Sequence, residues 1–438
     1  MTAMEPERPS KNLRTFLLIW GGQLASAIGS GMTNFAIALW AWEATGRATP
    51  LSLIFFFTHT PRVIAACFAG ILVDRWNRKH IMIVGDTMAG LSTIAILLLL
   101  LNNNLQIWHF YFAAAINGLF GYLQNLAFST SMSAIVPKKH YTQATAMMSV
   151  RYGGAIILAP AFAGALYPTV GFVAILLIDV ITFIIAVSTL AIARIPHYRQ
   201  TDTTSNNKIT EQLTFGFRYI FKRPTLLALL IFLLMSGFIS NAVIAIASAT
   251  ILARSGNDAP TLASVTTAMG VGGSIGAILL SIWSGPKRRI HCLLLGDALT
   301  NLCRLPLGLA LSPAIWVAAG SFSGFFMPWL GVFNQGIWLS KVEPEVQGRV
   351  FASRYLIAQI ASPLGIAISG PLADYVFEPA MQTGGFLAGI FSGIFGTGNG
   401  AGMALQFTLF SCCGILISLG GYAFKQLRDV EILLPDHE

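Results

Sequence analysis

The sequence predicts an all-α membrane protein of twelve transmembrane helices, arranged as two parallel repeats of six. Three observations predict it. The 438-residue chain is 55% hydrophobic and only 10% charged, where a soluble domain carries about 25% charged residues, so too little polar surface is available to face water. Twelve apolar runs reach the length of about 20 residues that a helix needs to cross the hydrocarbon core. A short charged turn in the first half, Gly70-Ile71-Leu72-Val73-Asp74-Arg75-Trp76-Asn77-Arg78-Lys79, returns in worn form in the second half as Trp283-Ser284-Gly285-Pro286-Lys287-Arg288-Arg289.

The runs fall at 15–42, 50–73, 81–101, 105–135, 144–168, 171–194, 225–252, 261–283, 290–311, 314–340, 350–374 and 401–424. Between the sixth and seventh lies the one long polar stretch. The chain therefore divides into a first six-helix bundle at 1–195, a linker at 196–224 and a second bundle at 225–438. The linker opens as Thr201-Asp202-Thr203-Thr204-Ser205-Asn206-Asn207, a flexible composition. Further on, Leu213, Phe217, Ile220 and Phe221 share a helical face opposite Glu211, Arg218 and Lys222, which predicts an interfacial helix. Met1 to Arg14 is polar, with Glu5 and Glu7, and no cleavage site follows, so the first span is expected to be retained. Cys67, Cys292, Cys303, Cys412 and Cys413 lie in apolar runs without metal or redox spacing. They read as packing residues, and neither a metal nor a cofactor is expected.

Two further matches support the repeat. The count from Arg78 to Asp86 equals that from Arg289 to Asp297, and Arg151-Tyr152 precedes Pro160 by the same spacing as Arg354-Tyr355 precedes Pro363. Matches on equivalent helices argue for duplication. The cations set the orientation. Arg75, Arg78, Lys79, Lys138 and Lys139, the linker, then Lys287, Arg288, Arg289, Lys341, Arg349, Lys425 and Arg428 fall on one side; Arg47 and Arg254 are the exceptions. Both termini are therefore expected in the cytoplasm of a multi-pass plasma (inner) membrane protein.

Twelve spans, a central linker and the 70–79 turn together resemble the major facilitator superfamily. The loop of that family between helices two and three reads G-x-L-x-D-R-x-x-R-K, and every specified position is matched here. Glu345-Val346-Gln347-Gly348-Arg349-Val350 and the helix over 213–224 resemble the branch of macrolide-efflux and enterobactin-export proteins. The resemblance covers nearly the whole chain and implies the major facilitator fold. It also implies that Asp74 docks near the start of span eleven as a conformational latch. Read physically, Gly70 permits close backbone approach, Asp74 suits a helix N-terminus, and Arg75, Arg78 and Lys79 can pair with carboxylates or lipid phosphates. In the second copy Gly285 replaces the acid. The glycine-rich motif of drug antiporters in span five is only partly present, as Ala155, Ala159-Pro160 and Ala163-Gly164.

The resemblance further implies that spans one, four, seven and ten face a central cavity. Their candidates for substrate contact are Gln23, Ser30 and Asn34; Asn117, Gln124 and Asn125; Asn241; and Phe326, Trp329, Asn334 and Gln335. Aromatic walls with neutral polar groups suit bulky amphipathic ligands, although such stripes also serve simple packing. None of these four spans carries Asp or Glu. Intramembrane ions occur instead at Arg62, Asp86, Arg151, Asp179, Asp297, Arg304 and Arg354. Asp86 and Asp297, about two turns from the charged loops, are expected to pair with loop cations. Asp179, nearer mid-membrane, is the candidate proton carrier or else the partner of Arg151 or Arg62.

The expected function is a secondary transporter exporting hydrophobic or amphipathic small molecules by proton antiport. Export of an anionic siderophore or lipid-like metabolite, or a non-transporting membrane sensor or scaffold, are the alternatives. No nucleophile–base set and no phosphate-binding loop is present, so neither an enzyme nor ATP drive is expected. The expected partners are substrate, protons and membrane lipids, without nucleic acid, and the expected state is a monomer.

Overall fold

A computed structural model describes residues 13–193, 209–283 and 285–434; the polar stretch 201–207 and Ser284 lie outside them. The helices are α1 Leu13–Thr45, α2 Ala48–Arg75, α3 Arg78–Leu101, α4 Ile107–Ile135, α5 Tyr141–Ile192, α6 Ile209–Phe221, α7 Pro224–Ser255, α8 Ala259–Ile282, α9 Arg289–Leu309, α10 Pro313–Lys341 and α11 Pro344–Leu372. After α11 come a π-turn at Ala373–Phe377, then α12 Glu378–Met381, α13 Ala388–Phe395, α14 Ala401–Gly420, α15 Lys425–Arg428 and α16 Val430–Leu433. No strand occurs among the described residues.

Ten of these segments are by themselves long and apolar enough to cross a membrane. One of the ten holds two spans: α5 breaks at Gly171, whose φ of 76° and ψ of 179° only glycine adopts without strain. Spans five and six thus meet without a loop. The twelfth span is α4, equally long but more polar than the others because it carries Asn117, Gln124 and Asn125. Twelve spans result, as expected. The stretch between spans eleven and twelve, which no apolar run accounts for, folds as the π-turn, α12 and α13 around a small core of Met381, Phe395, Ala404 and Leu405.

The chain divides into two compact units, one of Met1–Ile37 with Phe57–Thr204 and one of Ala38–Phe56 with Ser205–Glu438. The end of α1 and the start of α2 thus belong with the second unit. In the first unit, Phe16, Ile19, Met82, Phe128, Ile135 and Leu190 form the core. In the second, Leu229, Phe232, Leu293, Ile337, Trp338 and Val350 do so. Large apolar side chains such as Ile192, Ile282 and Leu416 remain exposed, as lipid-facing positions should.

Lipid offers no hydrophobic drive for helices to associate, so close approach of backbones must do so. A Cβ on Gly22 or Gly29 of α1 would collide with Thr189 or Thr182 in the second arm of α5, and one on Gly118 of α4 with the Thr58 carbonyl of α2. In the second unit, Gly272 and Gly276 of α8 meet Ser321 and Phe325 carbonyls of α10, while Gly320 and Gly324 of α10 meet Val265 and Met269 carbonyls of α8. Gly70 is different: a Cβ there would meet nothing within 4 Å. The expectation that Gly70 serves close packing is therefore corrected; the close approaches lie elsewhere.

The amphipathic helix of the linker is present as α6. The side chains of Glu211 and Leu213 lie outside the described residues. Tyr219 and Ile220 are buried, Gly216 abuts Arg349 and Ser353 of α11, and the Arg349 guanidinium lies 4.4 Å from the Phe215 ring centroid, whereas Phe221 points outward. The helix is docked on α11 rather than lying free. The tail is docked too. Leu427 and Val430 enter the core, the Glu431 carboxylate accepts the Ile290 N–H at 3.0 Å, and Lys341 Nζ donates to the carbonyls of Glu431 (2.9 Å) and Leu434. Where the second charged turn lacks its own acid at Gly285, a carboxylate 141 residues away caps the N-terminus of α9.

Gly324→Val should lower stability by about 1–3 kcal/mol, read as thermal unfolding in detergent. Gly70→Ala should leave that unfolding unchanged; equal losses in the two variants would refute the packing assignment.

Candidate functional site

The first unit contains a cavity of about 330 Å³ into which many polar side chains project. Helical spacing brings its wall together. From α1 come Gln23, Ser26, Ser30, Thr33 and Asn34; from α3, Asp86 and Thr93; from α4, Asn117, Gln124 and Asn125; from the two arms of α5, Arg151, Tyr152 and Asp179. All six residues expected on spans one and four line this one cavity. The close approach of α1 to the second arm of α5 through Gly29 sets Ser30 beside Asp179, and Gly85, against Gln124, sets Asp86 beside α4.

Two buried carboxylates anchor the wall. Asp86 accepts from Gln23 Nε2 at 2.6 Å, and Gln23 Oε1 in turn accepts from Gln124 Nε2. Asp179 accepts from Ser30 Oγ at 3.0 Å and Thr93 Oγ1 at 2.9 Å. Both expected pairings are corrected here. Asp86 and Asp297 take neutral partners rather than loop cations: Asp297 accepts from Ser236 Oγ (2.9 Å) and Ser418 Oγ (2.7 Å). Asp179 is held by hydroxyls rather than by Arg151 or Arg62. The reason is geometric. Arg151 donates to Asn125 Oδ1 and lies over the rings of Phe128 and Tyr152, at 5.1 and 5.0 Å. Arg62 lies 5.9 Å from the centroid of Tyr122, on an adjoining cavity of about 340 Å³ that shares Asn117, Asn125 and Tyr152.

The partners differ in chemistry. A hydroxyl can donate to a carboxylate or, once rotated, accept from a carboxylic acid. The Ser30–Asp179–Thr93 cluster therefore accommodates either protonation state without moving the backbone. The Gln23 amide presents N–H to Asp86 because its oxygen is engaged by Gln124.

The second unit reproduces part of this layout. Arg354 Nη2 donates to Gln335 Oε1 at 2.8 Å, with the guanidinium over Trp338 and Phe351, as Arg151 does with Asn125. Arg289 Nη1 donates to the Gly336 carbonyl at 3.0 Å, and Arg78 Nη1 to that of Thr130 at 2.8 Å. Asn241 Nδ2 reaches Ser362 Oγ at 3.1 Å and so ties α7 to α11. Phe326 and Trp329 are edge-to-face at 5.4 Å in a chain of rings running through Phe333 and Trp283. Trp329 also packs on Gly296 of α9. Asn334 sits half-buried next to Phe333. At the 70–79 turn, Asn77 caps α3 by accepting the Lys79 N–H, and Lys79 Nζ donates to the carbonyls of Ala191 and Ala193, both at 2.8 Å. Asp74 and Arg75 are exposed.

Asp86, Thr33, Thr93 and Tyr152 were not expected in the cavity. Asp86, Ala89 and Thr93 recur at helical spacing on one face of α3, and that signal was available.

Twelve spans, with buried carboxylates lining a cavity of the first unit, define a multi-pass integral membrane protein. The chain belongs to the Major Facilitator Superfamily, whose profile matches residues 19–366. The family is one of transporters of small molecules, not of enzymes. Macrolide efflux protein A of Streptococcus pyogenes is 26% identical over 370 residues, 82% of this chain and 90% of that protein. Multidrug efflux pump Tap of Mycolicibacterium fortuitum is 23% identical, over 82% and 89%. Among solved structures, nucleoside transporter NupG superposes with a TM-score of 0.68 at 12% identity, covering 93% of this chain and 98% of that one. A bacterial homolog of the human lysosomal transporter Spinster gives 0.65 at 15% identity, over 96% and 98%. These two likenesses concern the fold alone.

Gln23→Leu should cost about 1–3 kcal/mol by leaving buried Asp86 and Gln124 without their shared partner. Combining it with Asp86→Leu should cost less than the sum of the two, read by thermal unfolding of single and double variants; strict additivity would show that the two side chains do not interact.

Proposed function

We propose that this transporter exports hydrophobic or amphipathic small molecules, drug- or macrolide-like, by proton antiport. The observation that carries this reading is a cavity of mixed apolar and polar lining that holds two buried carboxylates, both hydrogen-bonded by neutral side chains. A carboxylate in low dielectric is expensive as an ion unless donors surround it, and Asp179 has donors that serve it equally well as an acid. In this reading Asp179 carries the proton, and Gln23, Ser30, Asn34, Asn117, Gln124 and Asn125 contact the substrate. The efflux relatives are the second support. Lys and Arg placement supports cytoplasmic termini in the plasma (inner) membrane. Arg62, exposed on the adjoining cavity, favours a variant of the reading in which the substrate bears an anionic group, as in a siderophore or lipid-like metabolite.

The 70–79 turn serves as a latch in this scheme. Arg78 and Lys79 are occupied with carbonyls at the ends of α4 and α5, whereas the Asp74 carboxylate is exposed and free in charge terms to meet a helix N-terminus.

Uptake of a labelled macrolide into everted vesicles, with and without a proton gradient, tests the reading. Asp179→Asn should abolish gradient-driven accumulation and preserve substrate binding and downhill exchange; a stable variant with full proton-driven export would remove Asp179 from the mechanism. Asp74→Asn should keep expression and lower the transport rate about two- to thirtyfold, the range expected for one carboxylate at a helix terminus. Wild-type rates in that variant would reduce the turn to an anchor.

A further inference from the structure

The pattern of the 70–74 turn occurs a second time in the chain, at the far end of α11. Gly70-Ile71-Leu72-Val73-Asp74 closes α2, and Gly370-Pro371-Leu372-Ala373-Asp374 closes α11. In both, an acid follows a glycine by four residues with leucine between. The second copy lies within the second compact unit, and so does its partner, the first turn of α2. Both carboxylate oxygens of Asp374 accept backbone N–H groups of the first turn of α2, from Ala48 at 2.8 Å and Thr49 at 2.8 Å. No acid of its own stands in that first turn. Gly370 lies where a Cβ would collide with Ser52 Oγ and stand 2.7 Å from the Thr49 Cα. Beside it, Trp42 Nε1 at the end of α1 donates to Asn257 Oδ1 after α7, at 2.6 Å.

We propose that Asp374 is a second latch, closing the face of the transporter opposite the 70–79 turn by docking on the N-terminus of α2. The physics is a carboxylate neutralising unpaired N–H groups and the positive end of a helix dipole. The geometry explains each part of the motif. Gly370 lets α11 approach α2 closely enough, and Asp374, one turn on, reaches the two N–H groups at once. Alternating access requires one set of helices to rock against the other; residues 38–56 belong by sequence to the first repeat yet pack in the second unit, so this joint has to part when that face opens. The charge that favours closure is then returned to water, where the cost of separation is small. This role does not depend on which substrate is carried or on what drives its transport.

The test reads conformation rather than transport. In a chain with its native cysteines replaced, Ala48→Cys places a thiol at a position that is 0% exposed, and Ala113→Cys provides a control at 7% in the first unit. Each is labelled with a membrane-impermeant maleimide in right-side-out vesicles. Asp374→Asn removes the charge at constant size, and Gly370→Ala wedges the same joint sterically, so two independent variants probe one device. Either change should speed labelling at Ala48→Cys about two- to thirtyfold, the span expected for one charge–dipole contact, and leave Ala113→Cys unchanged. Unchanged labelling of Ala48→Cys in both variants would overturn the latch. Equal acceleration at both thiols would also overturn it, because the motif would then hold the fold together rather than the gate.

Discussion

A carboxylate inside a bilayer has no water to solvate it, so its donors must come from neighbouring helices. Asp86, Asp179 and Asp297 each obey this constraint with side chains from helices remote in sequence: Gln23, Ser30 with Thr93, and Ser236 with Ser418. Such bonds need helix backbones to come close, and Gly29 of α1, against Asp179 and Thr182, is where that is clearest. Polar satisfaction and small-residue packing are therefore one requirement seen from two sides. Gly29 without Asp179 would be an ordinary crossing; Asp179 without Gly29 would sit out of reach of Ser30.

The same economy recurs at the ends of the helices. First-turn N–H groups of α2 and α9, which lack partners within their own helices, are served by carboxylates from distant parts of the chain, Asp374 and Glu431. The cations of the charged turns do the converse, donating to helix carbonyls: Lys79 at the end of α5, Arg78 and Arg289 in the late turns of α4 and α10. Helix termini thus carry a share of the charge pairing.

Much of the fold was legible because it is periodic. Twelve runs of membrane length and matched spacings about Arg78 and Arg289 survive translation into helices. The joint at Gly171 was legible only as a short gap between two runs. The cavity wall was half legible. Gln23, Ser30 and Asn34, like Asn117, Gln124 and Asn125, stand out as polar stripes in apolar helices. Asp86 was misassigned because distance along the chain to Arg78 says nothing about which way α3 turns its face; a Thr93 seven residues on was the better guide. Partners joined over long separations are harder to read: the pattern at 370–374 marks Asp374 but does not name Ala48 as its partner, and Glu431 with Ile290 has no signature in either segment alone. The aromatic stripe of α10 is ambiguous in sequence for a physical reason: rings that could line a cavity and rings that pack on Gly296 have the same spacing.

The docking of the tail has a consequence for how the second unit comes into being. Ribosomes deliver the chain from its N-terminus, so α9 and α10 are threaded into the bilayer well before Glu431 has been synthesised. Until then the Ile290 N–H in the first turn of α9 lacks the carboxylate that serves it in the finished protein, and Lys341 lacks the tail carbonyls it meets there. Biogenesis of this half therefore ends with a closing step rather than a gradual fill, and the last dozen described residues act as its keystone.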